Sequence, residues 1–125
     1  MRMLALALTV VMIGSTGCAG ARTFEGAYTR GFENHTFRLC SAQPQERSWW
    51  VVMSGGVDSV AKAAVDSAQG QPMYARFRGR VGPKGAYGHL GLSSRLLTVV
   101  GVEEVRPRVM GDCEGGRLDQ SVRIR

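Results

Sequence analysis

Two histidines and three cysteines are the only imidazoles and thiols that this 125-residue chain offers for metal or redox chemistry. Neither a C-x-x-C pair nor a His-rich run occurs, so the short ligand spacing typical of a metal centre is missing from the sequence. No cofactor is expected. Neither a Ser-His-Asp nor a Cys-His constellation stands out, and no internal repeat is present. Long apolar runs are missing too. The run Leu4 to Ile13, LALALTVVMI, has ten residues and as a helix would cover only about 15 Å, half a bilayer core. It is too short to span a membrane, and behind Arg2 it fits the apolar region of a secretory signal. The A-x-A-like site that ends a plain signal of this kind is also lacking.

Small residues, Gly14-Ser15-Thr16-Gly17, run directly into Cys18 instead. This junction resembles the lipobox of bacterial lipoproteins, although that family prefers an aliphatic residue where Ser15 stands. The resemblance implies that the Cys18 thiol takes a diacylglycerol and that the leader, residues 1–17, is cut away. Two or three acyl chains, at about 0.8 kcal/mol per buried CH₂, hold a protein far more firmly than one. The other reading is ordinary secretion with Cys18 as a further thiol. Lipidation puts the chain in the bacterial cell envelope. Ala19 after the cysteine resembles the pattern that sorts lipoproteins to the outer membrane, facing the periplasm, rather than retaining them at the inner one.

Past the leader, 108 residues remain, enough for one small domain. The whole chain carries +6, and loss of Arg2 leaves 15 basic against 10 acidic residues, or +5. Only Met53, Met73 and Met110 survive, too few for a Met-rich copper site. A basic exported protein meets the membrane through its lipid and, beyond that, an anionic ligand or an acidic face of another envelope protein. Nucleic acid is scarce outside the cytoplasm and is not an expected partner. Once Cys18 is acylated, Cys40 and Cys113 are left, and an oxidising compartment makes a disulfide between them the default. The alternative is two buried free thiols.

Residues 18–23 read as a tether, residues 24–106 as the folded domain, and residues 107–125 as a tail. Phe24 to Arg30 is rich in strand formers. Glu33 to Cys40 alternates, with His35, Phe37 and Leu39 on one side and Asn34, Thr36 and Arg38 on the other. Ser41 to Arg47 reads as a turn, and SWWVVM, Ser48 to Met53, as an apolar strand. Trp49 and Trp50 then fall on opposite faces, at least one of them in the core. Val57, Val60, Ala61, Ala64, Val65 and Ala68 recur at helical spacing, with Asp58 as a cap and Gly70 and Pro72 as the stop. Met73 to Val81 returns to strict alternation. Gly82 to Ser94 is a Gly-rich loop, and Leu96 to Val105 is a last strand with a bulge expected at Gly101.

Three strands, one helix and two strands are the connectivity of the OB-fold, a five-stranded barrel with a helix between its third and fourth strands. An α+β sandwich is the alternative. The runs GAYTRGFENHTF, WW, YARFRGRV and GAYGHLG resemble a group of small bacterial envelope lipoproteins with an OB-like domain. The resemblance covers roughly residues 26–105. It implies an envelope lipoprotein and brings no catalytic residues.

Three sets of side chains are candidates for function. Tyr74, Arg76, Arg78 and Arg80 fall on the face of the fourth strand opposite Met73, Ala75, Phe77 and Val81, about 7 Å apart in succession. Such a ladder suits a linear anion, with Tyr74 for stacking, or it is a solvated face paired with Glu33, Glu103 or Glu104. Lys84, Tyr87 and His89 lie on the Gly-rich loop, a place OB-folds use for ligands. Its glycines neither follow a strand nor open a helix as a phosphate loop would. Glu33, His35 and His89 form a weak acid–base or metal set. The expected role is therefore a non-catalytic binding or structural module. The alternatives are a regulator or inhibitor docking on an envelope protein, and a small hydrolase-type enzyme using His89.

Overall fold

The computed structural model describes residues 20–113. The expected leader, Cys18 and the chain beyond Cys113 lie outside the described residues. Strands β1 (Arg22–Gly31), β2 (Asn34–Leu39) and β3 (Trp49–Val52) come first, followed by helix α1 (Gly55–Ala68). Strands β4 (Met73–Val81) and β5 (Leu96–Pro107) are the last elements among the described residues, with a single 3₁₀ turn at His89–Gly91 between them. Hydrogen bonding orders the strands β1-β2-β3-β5-β4 and closes β4 back onto β1 as a barrel. Every pairing is antiparallel except β3 with β5. This is an OB-like barrel, and the sandwich alternative falls away.

Alternation builds the inside. Tyr28, Phe37, Val51, Phe77 and Leu97 are 2 % exposed or less, one or more from each strand. Their rings meet edge-on or tilted, Tyr28 to Phe77 at 4.9 Å and Phe37 to Phe77 at 5.6 Å, the arrangements that aromatic quadrupoles favour. Trp49 joins them from β3, 5.5 Å edge-on from Phe24. A glycine is required at position 26. A Cβ there would strike the Arg38 carbonyl, so only glycine lets β1 and β2 approach this closely.

The helix closes one end of the barrel with small side chains, Ala61 and Ala68 being buried and Val57, Ala64 and Val65 packing beside them. Val60, expected on that face, is 56 % exposed instead. Asp58 is not the cap: Ser54 holds that position, without a side-chain hydrogen bond. Asp58 sits in the first turn, where its carboxylate meets the Arg30 guanidinium at 2.9 Å. That hydrogen bond holds the Asp58 carboxyl below its usual range. The helix ends where Gln69 and Gly70 both turn left-handed, ahead of Pro72.

Boundaries differ modestly from the sequence reading. Strand β1 begins at Arg22, inside the expected tether, and β5 continues through Pro107. The irregularity in β5 falls around Gly101 rather than on it. Gly101 keeps its partner Arg78, while the pairing skips Val100 and Glu103 on either side. The expected disulfide is present, joining Cys40 to Cys113 with 5.1 Å between their Cα atoms.

At the helix end of the barrel, the Tyr28 hydroxyl and His35 Nε2 share a hydrogen bond of 2.6 Å. Burial, with the nearby Arg30 charge, pushes the His35 imidazole down to about 4. An unfolded histidine titrates near 6.5, so between these values the unfolded chain binds more protons than the folded one. Stability should therefore be complete above pH 6.5 and decline as pH falls toward 4. Because the ring is only partly buried, a loss of about 1–2 kcal/mol is expected. Chemical denaturation at pH 7.0, 5.5 and 4.0 checks this, and His35→Gln should flatten the slope.

Candidate binding groove

The loop joining β4 to β5 does not simply bridge neighbouring strands. From Gly82 it folds back across the outer face of β2 and β3. Ser94 hydrogen-bonds to the Arg47 and Ser48 carbonyls, and Tyr87 and Ser93 exchange backbone hydrogen bonds. At Gly88 (φ 70°) the backbone lies directly on the indole of Trp50, where a Cβ would overlap the ring. His89 then reaches the turn between β1 and β2, its Nε2 3.7 Å from the Glu33 carboxylate.

A groove of about 570 Å³ is left between this loop, that turn and the strand face. Trp50, Thr36 and Arg38 line its strand side, Phe32 and Glu33 one rim, and His89 and Leu92 the other. Trp50 points outward because its pairing partner, Thr36, lies opposite inward-facing Phe37 in the alternation of β2. Two cations face the groove. Arg38 donates to the Gln43 and Glu46 carbonyls, which fixes its guanidinium without neutralising it. Arg47 is exposed and has no ion-pair partner among the described residues. Apolar surface crowds the same region, with Phe32 94 %, Leu90 79 % and Leu92 59 % exposed.

Of the residues singled out on β4, Tyr74 requires correction. It is 4 % exposed and forms a small second core with Cys40 and Cys113. Its hydroxyl donates to Glu25 at 2.6 Å, and Arg106 stacks on its ring at 4.5 Å. Burial and the Glu25 carboxylate push the phenol up to about 12. It offers no stacking surface to a ligand. Arg76 is held by Glu103 at 3.0 Å and Glu104 at 3.4 Å. Arg78 and Arg80 are exposed, at the far end of the strand from the helix.

On the loop, His89 lines the groove. Lys84 is exposed outside it, and the Tyr87 hydroxyl is turned back to donate to the Pro83 carbonyl. Glu33 and His89 meet, while His35 belongs to the separate site beneath the helix. Among the described residues no three His, Cys, Asp or Glu side chains gather as a metal site would need. Sequence reasoning placed Trp50 correctly on the face away from Trp49. It missed Phe32, Arg38, Arg47 and Leu92, which only the folding-back of the loop brings together.

Comparison with protein-family models, with curated proteins and with solved structures finds no match for this chain. Function is therefore read from the chemistry of the groove itself.

Proposed function

We propose that this chain is a lipid-anchored, non-catalytic binding module of the bacterial envelope, held through Cys18, whose groove takes an elongated ligand bearing an anionic group. The groove's composition carries this reading. An aromatic floor, apolar rims and two guanidiniums without carboxylate partners among the described residues suit a ligand that is apolar along its length and negatively charged at one end. The face between β2, β3 and their flanking loops is also where OB barrels commonly bind chain-like ligands.

A second reading, a regulator docking on another envelope protein, draws support from the exposed Phe32, Leu90 and Leu92 beside the groove. The enzyme reading has less behind it. His89 and Glu33 form a pair at 3.7 Å, with both side chains about half exposed, and among the described residues they orient no nucleophile.

The test titrates the mature protein with acidic oligosaccharides and with acidic peptides by isothermal calorimetry, with Trp50 fluorescence as a second readout wherever that residue is retained. A binding partner should quench Trp50 and bind more weakly as salt rises. Trp50→Ala and Arg47→Gln should each weaken binding about 10-fold or more, consistent with about 1–3 kcal/mol for a stacked or charge-assisted contact. Arg108→Gln, which removes an exposed charge elsewhere, should leave it within about twofold. Equal losses in all three would reject the groove as the site.

A further inference from the structure

The cations of this barrel are sorted. Among the described residues, Arg30 pairs with Asp58, Lys62 with Asp66, Arg76 with Glu103 and Glu104, and Arg106 with Glu104 and Asp112, at the helix end and the middle of the molecule. The opposite end is where β1 and β5 begin and β4 finishes, as the pairings Arg22 with Gly79 and Val81 with Leu97 show. Arg22, Arg78 and Arg80 lie on those strand ends and Lys84 on the loop just beyond, all four of them exposed. Arg95 is there too, tied to the Gly82 carbonyl at 2.9 Å. Glu46, on the loop between β2 and β3, is the one acidic residue that the described loops contribute to this end.

A shallow cavity of about 410 Å³ opens there, lined by Gly20, Arg22, Phe24 and Arg80. Arg22 stands over the Phe24 ring at 5.8 Å, which holds its charge at the barrel mouth. The chain enters the fold at this same mouth, through Gly20. Only one residue, Ala19, separates Gly20 from Cys18, a span of at most about 7 Å. That reach is shorter than the roughly 8–10 Å over which salt screens exposed charge.

From this coincidence of charge and chain entry we infer that the open end of the barrel is a membrane seat, with Arg22, Arg78 and Lys84 resting on anionic phospholipid headgroups. The inference rests on the proposed anchor at Cys18, but the seat has its own chemistry. Each Lys or Arg near a negative lipid surface adds roughly 1 kcal/mol, so three act together although each is weak. The seat also fixes orientation. With the helix end pointing away from the bilayer, the groove faces sideways, open to ligands in the adjoining space.

The full chain, isolated from membranes and reconstituted into vesicles, tests this. One set of vesicles contains phosphatidylglycerol and phosphatidylethanolamine, and the other phosphatidylcholine alone. A photocrosslinking amino acid is placed at Thr98, beside Arg80 on the open end, or at Ser59, on the exposed side of α1. Lipid adducts should form from position 98 and not from 59, in the phosphatidylglycerol vesicles, and should fall several-fold in high salt. Arg22→Gln with Arg78→Gln and Lys84→Gln should reduce them at least fivefold, with circular dichroism unchanged. An anchored protein giving equal adducts at both positions, or none, would overturn the seat and leave the anchor intact. Adducts from position 98 on a chain without acyl mass at Cys18 would uphold the seat and reject the anchor. Failure to associate with either vesicle would reject both.

Discussion

Replacing Phe77 by alanine should destabilise the barrel by about 3–5 kcal/mol, the range seen when a fully buried aromatic leaves a cavity. Phe77 is 0 % exposed and stands at the centre of the ring cluster, against Tyr28 and Phe37, and opposite Phe24 in the pairing of β1 with β4. Its neighbours are strand residues on a closed barrel, so they have little freedom to collapse into the space. A domain of this size has total stability of about 5–15 kcal/mol, so the loss is a large fraction of the whole. Urea denaturation followed by tryptophan fluorescence measures it. Phe77→Leu, which keeps most of the volume, should recover more than half of the loss. Equal losses for both variants would mean that ring contacts, and not filled space, dominate this core.

Cys113→Ser should lower stability by about 2–4 kcal/mol under oxidising conditions. A bond joining residues 73 apart removes a large loop-closure entropy from the unfolded chain, about 4 kcal/mol in the chain-entropy treatment. The fold adds a local consequence. The tail that carries Cys113 also carries Asp112, which is 9 % exposed and holds Arg106 over the Tyr74 ring. The Arg106 hydrogen bond, with one from the Val109 amide, keeps the Asp112 carboxyl below its usual range. Releasing the tail should uncover Tyr74 and let its phenol fall from about 12 toward the ordinary value of 10, which an ultraviolet pH titration would follow. A stability change below 1 kcal/mol, or an unmoved phenol, would mean that the tail stays docked without its covalent tie.

The fate of Tyr74 shows where reading a sequence by period stops. Alternation in MYARFRGRV correctly separates the inward set Met73, Ala75 and Phe77 from the outward set. It says nothing of what lies over the outward face. A tail segment more than thirty residues on covers Tyr74 while Arg78 stays exposed, and no local pattern marks the difference. The five strands and the helix were legible because each encodes its own burial within a few residues. The connectivity then narrowed the architecture to very few choices, and the disulfide followed from having two cysteines left. The groove was not legible in the same way. Its rims come from the turn at Phe32 and Glu33 and the loop at His89 and Leu92, far apart in the chain. The one local trace was a tryptophan on the outward side of a strand, with a glycine-rich loop long enough to lie across it.

The closed barrel also sets a timetable for folding. Helix α1 needs only neighbouring residues and can form in about a microsecond, and the β1–β2 turn in a few more. Strand β1, however, has its second edge satisfied only by β4, about fifty residues later, and β3 finds its parallel partner only when β5 is in place. Such distant pairings must meet the cost of closing long loops before they return any contact, and chains built on them fold in milliseconds to seconds. During that interval β1 carries an open edge of backbone donors and acceptors, the feature by which one strand recruits another chain. The first strand out is thus among the last to be sealed, and nascent copies are best kept apart until the seam between β1 and β4 has shut.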